Sequence, residues 1–322
     1  MIQSTFNSHD EIMKDITITE LKIKGYEIIK MPDLRNFACL CQLIITNNNL
    51  DTLEDENGIS FLPPNLQYLD CSNNKLIRLN QLPTSLIQLY CSFNKLMQLN
   101  NLPPALEIID CDNNNITQLG KIPAQLLYLN CSFNLLTELG NMENNSVIKF
   151  IVCSYNEISS LDKLPDSVEI LICHNNRLTS LDYLPQQLKN LNCCRNSLHD
   201  LDNLPAGLTQ LDCANNYISK LDNLPAGLNY LNCSLSNINY LDNLPIGIKF
   251  LDCSHNEIKT LDNLPPFLEI LICDSNRLKT LENLPISIIE LSYCSNHIPS
   301  IKNLPPNINI EKIDSYGNPG NF

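Results

Sequence analysis

The chain lacks several features that mark common classes of protein. It has no tryptophan, 9 glycines, and 21 basic residues against 35 acidic ones, which gives a net charge of −14. Binding to nucleic acid or to an anionic membrane depends on clustered lysine and arginine, and no such cluster occurs. We therefore expect neither nucleic acid nor membrane among its partners.

Segments that would carry the chain to or across a membrane are also missing. No run of 18 apolar residues occurs, which excludes a membrane-spanning helix. Residues 1–17 have neither the basic start nor the apolar stretch of a secretory signal. We therefore expect an intracellular protein, in the cytoplasm of its own cell or of a host. Within this segment, Ser8-His9-Asp10-Glu11 predicts a short helix that covers the first turn of the fold.

The motifs of common enzymes are absent as well. Neither the phosphate-binding G-x-x-x-x-G-K-[ST] nor the dinucleotide-binding G-x-G-x-x-G occurs. The five histidines are scattered, and none is spaced to contact a nucleophile. We therefore predict that the protein is not an enzyme and binds no cofactor.

What the sequence does contain is one repeat, copied along almost its whole length. A representative copy, residues 208–225, reads LTQLDCANNYISKLDNLP, and its first leucine is numbered position 1. Repeats begin at Ile18, Leu40, Leu66, Leu86, Leu106, Leu126, Ile148, Val168, Leu188, Leu208, Leu228, Ile248, Leu268, Ile288 and Ile310. The usual spacing is 20 residues, and fixed self-similarity of this length is typical of stacked-repeat folds. The longest repeat contains the polar stretch Glu54–Gly58, which predicts a surface loop.

The apolar positions predict how the repeats stack. Positions 1, 4, 6, 11, 14 and 17 are apolar in nearly every copy, and the alternation at 4 and 6 indicates a short strand with one buried face. Proline at position 18 has no N–H to donate, so that side should be extended rather than sheet, with no room for a helix. We predict a curved right-handed solenoid of about 15 turns, with a concave parallel β-sheet, an irregular convex side and little helix. It forms one domain, with a cap over 1–17, the array over 18–318 and a tail over 319–322.

The pattern L-x-x-L-x-C-x-x-N-x-L resembles the leucine-rich repeat. The 20-residue length and the L-P-x-x-L link resemble the short subclass found in bacterial effectors of the YopM and IpaH type. Cysteine replaces the usual leucine at position 6, and the link reads Leu-Asp-Asn-Leu-Pro, which are departures from that subclass. The resemblance implies a leucine-rich repeat fold. IpaH-type proteins carry a ubiquitin-ligase domain after the repeats, and we expect no such activity here because the chain stops at Phe322.

An asparagine recurs at position 9. This position faces inward, and the other inward positions are apolar. Its amide has two donors and an acceptor, which satisfy backbone groups where the chain bends out of the strand. We predict this structural role for Asn74, Asn94, Asn114, Asn134, Asn156, Asn176, Asn196, Asn216, Asn256, Asn276 and Asn296. Ser236 interrupts the series, and we expect Ser236→Asn to raise the melting temperature.

Eleven of the 15 cysteines occupy position 6, where a thiol replaces a buried leucine and behaves as a small hydrophobe. Distance alone permits disulfides between neighbouring turns. A column of equivalent thiols has no unique pairing, however, which favours the reduced state. Neither Cys193-Cys194 nor Cys39-x-Cys41 has the C-x-x-C spacing common in zinc sites, so we expect no metal there.

A second column places an acidic residue at position 15. Its members are Asp162, Asp182, Asp202, Asp222, Asp242, Asp262 and Glu282. Carboxylates on successive turns repel one another, which would invite calcium or a basic ligand. We favour the alternative, in which each accepts a local backbone hydrogen bond or is solvated.

The residues that vary between repeats lie at positions 3, 5, 7 and 8, which the strand pattern points outward. Apolar residues at these positions are densest on four consecutive strands, at Ile108, Tyr128, Phe133, Phe150, Val152, Tyr155, Ile170 and Ile172. Contiguous exposed apolar surface of this kind marks protein-binding sites, with aromatic residues as anchors. The alternative is that aromatic and β-branched residues simply suit strands.

We therefore predict a monomeric, non-enzymatic scaffold that binds a protein partner of unknown identity on its concave face. The alternative is a structural or effector-type repeat protein of a pathogen or giant virus, which displays surface without a single dedicated ligand.

Overall fold

The computed structural model describes residues 17–140, 142, 145–162, 164–300, 304–306, 308 and 313–319. Apart from Thr17, the predicted cap and its helix at Ser8 lie outside the described residues, as do Ile310 and most of the predicted tail. The chain divides into two compact units, residues 1–158 (the N-terminal unit) and residues 159–322 (the C-terminal unit).

The N-terminal unit contains nine strands in its described part. They are β1 (Glu20–Lys22), β2 (Gln42–Ile44), β3 (Tyr68–Asp70), β4 (Gln88–Tyr90), β5 (Gln98–Leu99), β6 (Ile108–Asp110), β7 (Gln118–Leu119), β8 (Tyr128–Asn130) and β9 (Phe150–Val152). Seven of them form a parallel sheet in the order β1-β2-β3-β4-β6-β8-β9. Equivalent positions lie side by side, so that Leu69 pairs with Leu89 and Leu89 pairs with Ile109.

The C-terminal unit contains eight strands in its described part, which pair in sequence order and are all parallel. They are β10 (Ile170–Ile172), β11 (Asn190–Asn192), β12 (Gln210–Asp212), β13 (Tyr230–Asn232), β14 (Phe250–Asp252), β15 (Ile270–Ile272), β16 (Glu290–Ser292) and β17 (Ile313–Asp314). No helix occurs in the described residues of either unit, so none that could span a membrane is found there. The predicted parallel-strand solenoid is therefore confirmed in each unit.

The core consists of the side chains at the inward repeat positions. In the repeat that starts at Leu86, the side chains of Leu86, Leu89, Cys91 and Leu96 are all 0% exposed. Burying a leucine completely contributes on the order of 1.5–3 kcal/mol. No repeat buries these side chains alone, so the stacking of neighbouring repeats stabilises each of them.

Most repeats end in a tight turn that begins at their proline. The N–H of Leu86 donates to the carbonyl oxygen of Pro83 at 3.1 Å, and the N–H of Leu208 donates to that of Pro205 at 3.0 Å. Proline has a fixed φ and no N–H, so it begins this turn without leaving a backbone donor unpaired. The side of the repeat that contains proline is irregular, as predicted.

A short second sheet departs from the expectation that the strands occur on one side only. Strands β5 and β7 pair through Gln98–Gln118 and Leu99–Leu119. Immediately after β7, the N–H of Gly120 donates to the carbonyl oxygen of Leu99 at 2.8 Å. A Cβ atom at Gly120 would lie 2.9 Å from that oxygen, so glycine permits this close approach of the two repeats.

The polar insertion in the second repeat is anchored rather than free. Glu54 pairs with Ser60 in an isolated antiparallel bridge, and its side chain is only 3% exposed. The Glu54 carboxylate accepts a hydrogen bond from the N–H of Asn80 at 3.1 Å and lies 3.3 Å from Nε of Arg78. The loop predicted from composition therefore begins with a buried carboxylate that joins it to the next repeat.

Candidate binding face

Position 8 of the repeat has left-handed backbone conformation throughout the array. Its φ lies between 51° and 57° at every non-glycine residue, and the first and last repeats have Gly25 and Gly317 there. Asparagine tolerates this conformation and occupies position 8 in five repeats, including Asn73 and Asn113. Other side chains adopt it at a cost of roughly 1–2 kcal/mol. A bulky residue at position 8 is therefore locally unfavourable for folding.

Three aromatic residues nevertheless occupy this strained position in the N-terminal unit. Phe93, Phe133 and Tyr155 are 56%, 46% and 39% exposed. The rings of Phe133 and Tyr155 stack, with centroids 4.2 Å apart and planes 12° from parallel. Side chains that strain the backbone and stay at the surface are not explained by the needs of the core.

These residues belong to a larger aromatic surface. We define the strand face as positions 3, 5, 7 and 8 of the five repeats that start at Leu66, Leu86, Leu106, Leu126 and Ile148. Seven of the 20 aromatic residues in the chain lie on it: Tyr68, Tyr90, Phe93, Tyr128, Phe133, Phe150 and Tyr155. Twenty positions among 322 residues hold a far larger share of the aromatic residues than an even distribution would give them.

The structure places six of the eight predicted contact residues on the strand face. Phe133, Phe150 and Tyr155 are exposed, and Ile108, Tyr128 and Val152 are half-buried. Ile108 pairs with Tyr128 and Tyr128 with Phe150, so these three lie in one row across β6, β8 and β9. The other two, Ile170 and Ile172, are half-buried on β10 of the C-terminal unit.

The predicted contact set omitted Phe93, which is the most exposed aromatic residue of the strand face. Position 3 of its own repeat is the polar Gln88, and the predicted cluster of apolar residues begins only in the next repeat, at Ile108. The signal that would have found it is the departure from asparagine at position 8.

The charge of the strand face is negative. Its carboxylates are Asp70, Asp110 and Asp112, and none of its twenty positions holds lysine, arginine or histidine. Across the described residues, none of the three forms an ion pair within 4 Å. Oδ1 of Asp110 accepts hydrogen bonds from Oγ of Ser92 at 2.9 Å and from Nδ2 of Asn130 at 3.0 Å. These carboxylates are therefore held by neutral donors and have no cationic partner.

Burial and charge shift the titration of this surface. Burial raises the pKa of the Asp110 carboxyl, the hydrogen bond from Ser92 opposes that shift, and the charge of Asp112 adds to it. Burial also raises the pKa of the Tyr90 hydroxyl, and the charges of Asp110 and Asp70 raise it further. Both shifts reflect a negative, partly desolvated surface.

One hydroxyl of the strand face is buried and has no hydrogen-bond partner in the described structure. Ser132, at position 7, is 5% exposed, and its Oγ is unpaired. The equivalent Ser92 donates to Asp110, which is the position 5 residue of the following repeat. For Ser132 the corresponding residue is Val152, which has no acceptor in its side chain.

The asparagine series at position 9 connects neighbouring repeats, and Asn114 shows how. Its Nδ2 donates to the carbonyl oxygens of Cys91 and Cys111, both at 3.1 Å, and its Oδ1 accepts from the N–H of Leu96 at 3.0 Å. Cys91 and Leu96 belong to the preceding repeat, so one side chain satisfies backbone groups of two repeats. Equivalent bonds are made by Asn74, Asn94, Asn134, Asn156, Asn196, Asn216, Asn256, Asn276 and Asn296. Asn176 donates to the carbonyl oxygen of Cys173 at 3.0 Å.

The series extends further than the sequence reading recognised. Oδ1 of Asn48 accepts from the N–H groups of Tyr26 and Ile28, and Oδ1 of Asn318 accepts from the N–H of Ile298. Both stand at position 9 of their repeats, one the longest and one the most degenerate. The repeat starts at Leu40 and Ile310 already place both asparagines at position 9, and that alignment was the signal for them.

All 15 cysteines lie within the described residues and none forms a disulfide, and the eleven at position 6 are buried. Some thiols donate to the backbone of the next repeat, as Cys111 does to the carbonyl oxygen of Asn130 at 3.3 Å. Burial raises the pKa of the Cys131 and Cys173 thiols to about 12. Such thiols remain protonated at neutral pH and act as packing groups.

The acidic column is exposed, and part of it bonds to the repeat that follows. Nδ2 of Asn203 donates to Oδ1 of Asp182 at 3.2 Å, and Nδ2 of Asn243 donates to Oδ1 of Asp222 at 3.4 Å. Over the described ranges, no group of three or more histidine, cysteine, aspartate or glutamate side chains is arranged to hold a metal ion. For Asp182 and Asp222 the bonding partner is an asparagine side chain, where we expected a backbone donor or solvent.

Two of the described histidines contact an amide or an aromatic ring. Nδ1 of His174 lies 2.8 Å from Nδ2 of Asn175, and the ring of His199 stacks on Tyr217 at 5.4 Å. Burial lowers the pKa of His174, and the charge of Arg195 lowers it further. These contacts are structural and do not form a nucleophile–base pair.

Known structures share this arrangement of repeats. YopM from Yersinia pestis, a leucine-rich effector protein, is 30% identical with a TM-score of 0.76, and the match covers 92% of this chain and 88% of that one. YopM from Yersinia enterocolitica WA-314 is 31% identical with a TM-score of 0.68, over 94% of this chain and 74% of that one. The functional domain of InlJ from Listeria monocytogenes, which includes a cysteine ladder, is 28% identical with a TM-score of 0.70, over 88% and 69% of the two chains.

No protein-family model matches the chain, and no curated protein matches it at a significant level. The repeat pattern, the parallel strand of each repeat and the identity to YopM agree with one another. The chain therefore belongs to the leucine-rich repeat family, with its likeness to the short-repeat YopM proteins extending over most of its length.

Proposed function

We propose that this chain is a non-enzymatic scaffold that binds a protein partner through its strand face, which we expect to be concave. The anchors are Tyr128, Phe133, Phe150 and Tyr155, supported by Ile108 and Val152. Ile170 and Ile172 occupy the same repeat positions in the C-terminal unit and are proposed as further contacts. The scaffold acts as a monomer in the cytoplasm, where its thiols remain reduced.

The observation that carries this proposal is the placement of exposed aromatic residues in left-handed backbone. Phe133 and Tyr155 replace the asparagine that suits position 8, at a cost to stability and without burial in the core. Binding hot spots are enriched in such aromatic anchors, which offer large contact area with few rotatable bonds. The comparisons support the same class of function, because the YopM structure is that of an effector protein with this repeat.

The test uses variants that should fold as well as the original chain. In Phe133→Asn/Tyr155→Asn, asparagine takes the conformation that it already holds at position 8 of other repeats. The matched control is Tyr183→Asn, which removes an aromatic residue that is 79% exposed and also left-handed, with φ 63°, but lies at position 16 outside the strand face. Affinity capture from cell lysate with the full chain as bait then identifies proteins that are lost with the first variant and kept with the second.

A photo-crosslinking amino acid at Tyr128 and, separately, at Tyr183 locates the contact on the chain. We expect crosslinks to the captured partner from Tyr128 and none from Tyr183. Tyr128→Ser/Phe150→Ser should abolish capture with folding intact. Capture that is unchanged in both face variants would refute the proposal and favour a repeat array without a dedicated ligand.

A further inference from the structure

At position 5, acidic and aromatic residues alternate on three neighbouring strands. Asp70 on β3 pairs with Tyr90 on β4, and Tyr90 pairs with Asp110 on β6. Successive side chains of this row are therefore separated by one strand spacing, about 4.8 Å. All three side chains are half-buried on the strand face, so each combines partial desolvation with access from solvent.

Within the described part of the chain, the two carboxylates of this row have no cationic partner. Asp70 accepts a hydrogen bond from the backbone N–H of Ser72 at 3.1 Å, and Asp110 accepts from Ser92 and Asn130. Every one of these donors is neutral, and no basic side chain occupies the strand face. A partly desolvated carboxylate without a cationic neighbour gains more from a positive ligand than a fully hydrated one does.

A single metal ion does not suit this row. The backbone positions of Asp70 and Asp110 are two strand spacings apart, about 9.6 Å, with Tyr90 on the strand between them. One side of the Tyr90 ring packs near Tyr68, with centroids 5.3 Å apart. Bonds from calcium or magnesium to oxygen are about 2.0–2.6 Å long, so one ion would not readily bridge both carboxylates. A planar guanidinium group is wider, carries five donors in one plane and stacks on aromatic rings.

We propose that the row formed by Asp70, Tyr90 and Asp110 binds an arginine side chain from a basic segment of the protein partner. The guanidinium group lies against the Tyr90 ring and donates hydrogen bonds to the carboxylates on either side. Phe93 lies at position 8 of the same repeat as Tyr90 and offers a second exposed ring to the same segment. The inference rests on the proposed function, because it names the chemistry of the partner for the same face.

The probe is a fluorescein-labelled peptide of twelve residues that alternates arginine and glycine, with a lysine–glycine peptide of equal charge for comparison. Fluorescence anisotropy with the full chain measures both dissociation constants at low and at physiological salt. We expect the arginine peptide to bind at least about fivefold more tightly than the lysine peptide, because only guanidinium is planar and forked.

The decisive variant is Asp70→Asn/Asp110→Asn, in which Oδ1 still accepts the hydrogen bonds that fold the strand face. Its matched control, Asp242→Asn/Asp262→Asn, removes the same charge from the exposed acidic column. We expect the first variant to weaken arginine-peptide binding at least about tenfold and the control to change it less than twofold. Tyr90→Leu should reduce the preference for arginine over lysine, because it removes the ring.

Equal weakening by the two double variants, or equal binding of the two peptides, would overturn the inference, since binding would then follow net charge alone. Its failure is distinguishable from failure of the proposed function. If Phe133→Asn/Tyr155→Asn loses the captured partner while Asp70→Asn/Asp110→Asn keeps both partner and peptide, the face binds its partner without this arginine site. The other outcome is that peptide binding requires Asp70 and Asp110, while partner capture is unchanged in both double variants. The arginine site then stands and the proposed function is wrong.

Discussion

Phe133 and Tyr155 stack at 4.2 Å although each holds a left-handed backbone conformation that its side chain disfavours. Their repeats are neighbours, so the equivalent position 8 residues bring the two rings face to face. Stacked aromatic pairs contribute about 0.5–1.5 kcal/mol beyond the area that they bury, a range that is comparable to the strain of about 1–2 kcal/mol at each residue. The pair therefore adds little to stability, while it presents a rigid apolar surface to solvent.

Phe93 separates the two effects, because its backbone is left-handed but its ring does not stack on another ring. It is 56% exposed with φ 54°, and no other ring contacts it within the described structure. We expect Phe93→Asn to raise the free energy of unfolding by about 1 kcal/mol, because asparagine accepts left-handed backbone at lower cost. Denaturant unfolding of the full chain measures the change.

The reverse substitution is the control for Phe93→Asn. Asn113 holds the same position in the next repeat, with φ 52°. Asn113→Phe should lower stability by a similar amount, and it also removes the hydrogen bond from Nδ2 of Asn113 to Asp112. If Phe93→Asn lowered stability instead, the strain at position 8 would not be what opposes an aromatic residue there.

Ser132 is a second residue of the strand face that lowers stability. Its buried Oγ has no partner in the described chain, and leaving a buried hydroxyl unpaired costs about 1–3 kcal/mol. We expect Ser132→Ala to raise the melting temperature or leave it unchanged. Ser92→Ala, which removes the bond to Asp110, should lower it. Calorimetry of the two variants side by side should show a fall in melting temperature for Ser92→Ala alone, and a fall of equal size in both would contradict the assignment.

The repeated part of the fold was predictable because each repeat position has the same structural role in every copy. Leu86, Leu89 and Leu96 are apolar since they stack on equivalent side chains, and Pro83 marks the turn because proline ends pairing. Asparagine at position 9 was predictable because the bend leaves backbone groups to satisfy.

The features missed by sequence reasoning depend on geometry that is not periodic. The burial of Glu54 follows from contacts with Arg78 and Asn80 of the next repeat, which composition does not encode. The importance of Phe93 depends on its φ, and the unpaired hydroxyl of Ser132 depends on which residue follows on the adjacent strand. These features depend on contacts between neighbouring repeats and on local backbone conformation, which the repeat pattern alone does not give.

Ser236 interrupts the asparagine series and should be a site of easy stabilisation. Its Oγ bonds only to the carbonyl oxygen of Ser234, at 3.5 Å, and the N–H of Ile218 gains no side-chain acceptor from it in the described structure. In Ser236→Asn, the amide would bond to the carbonyl oxygen of Cys213 and accept from Ile218, as Asn216 does one repeat earlier with Cys193 and Leu198.

We expect Ser236→Asn to raise the free energy of unfolding by about 1 kcal/mol, since one hydrogen bond of this kind contributes about 0.5–1.5 kcal/mol. The control is Asn216→Ser, which should lower it by at least as much. Thermal unfolding measures both changes. A melting temperature that falls in Ser236→Asn would show that position 236 does not align with the other asparagines.

The cysteine column predicts a specific pattern of chemical modification. Cys39 is exposed and Cys41, Cys194 and Cys294 are half-buried, whereas the eleven thiols of position 6 are buried. Burial raises the pKa of Cys194 and of Cys294 to about 11, so at neutral pH both are protonated, and the thiolate is the reactive form. Iodoacetamide should therefore modify at most four cysteines of the folded chain, with Cys194 and Cys294 reacting faster as the pH rises toward 11.

Mass spectrometry of the same protein in denaturant, without reductant, completes this test. We expect all 15 cysteines to react, because the column packs as free thiols. Fewer than 15 modified residues, with linked peptides from adjacent repeats, would show that the column is a ladder of disulfides. In that case the core would be held by covalent bonds as well as by burial, and the intracellular location proposed for the chain would lose its main support.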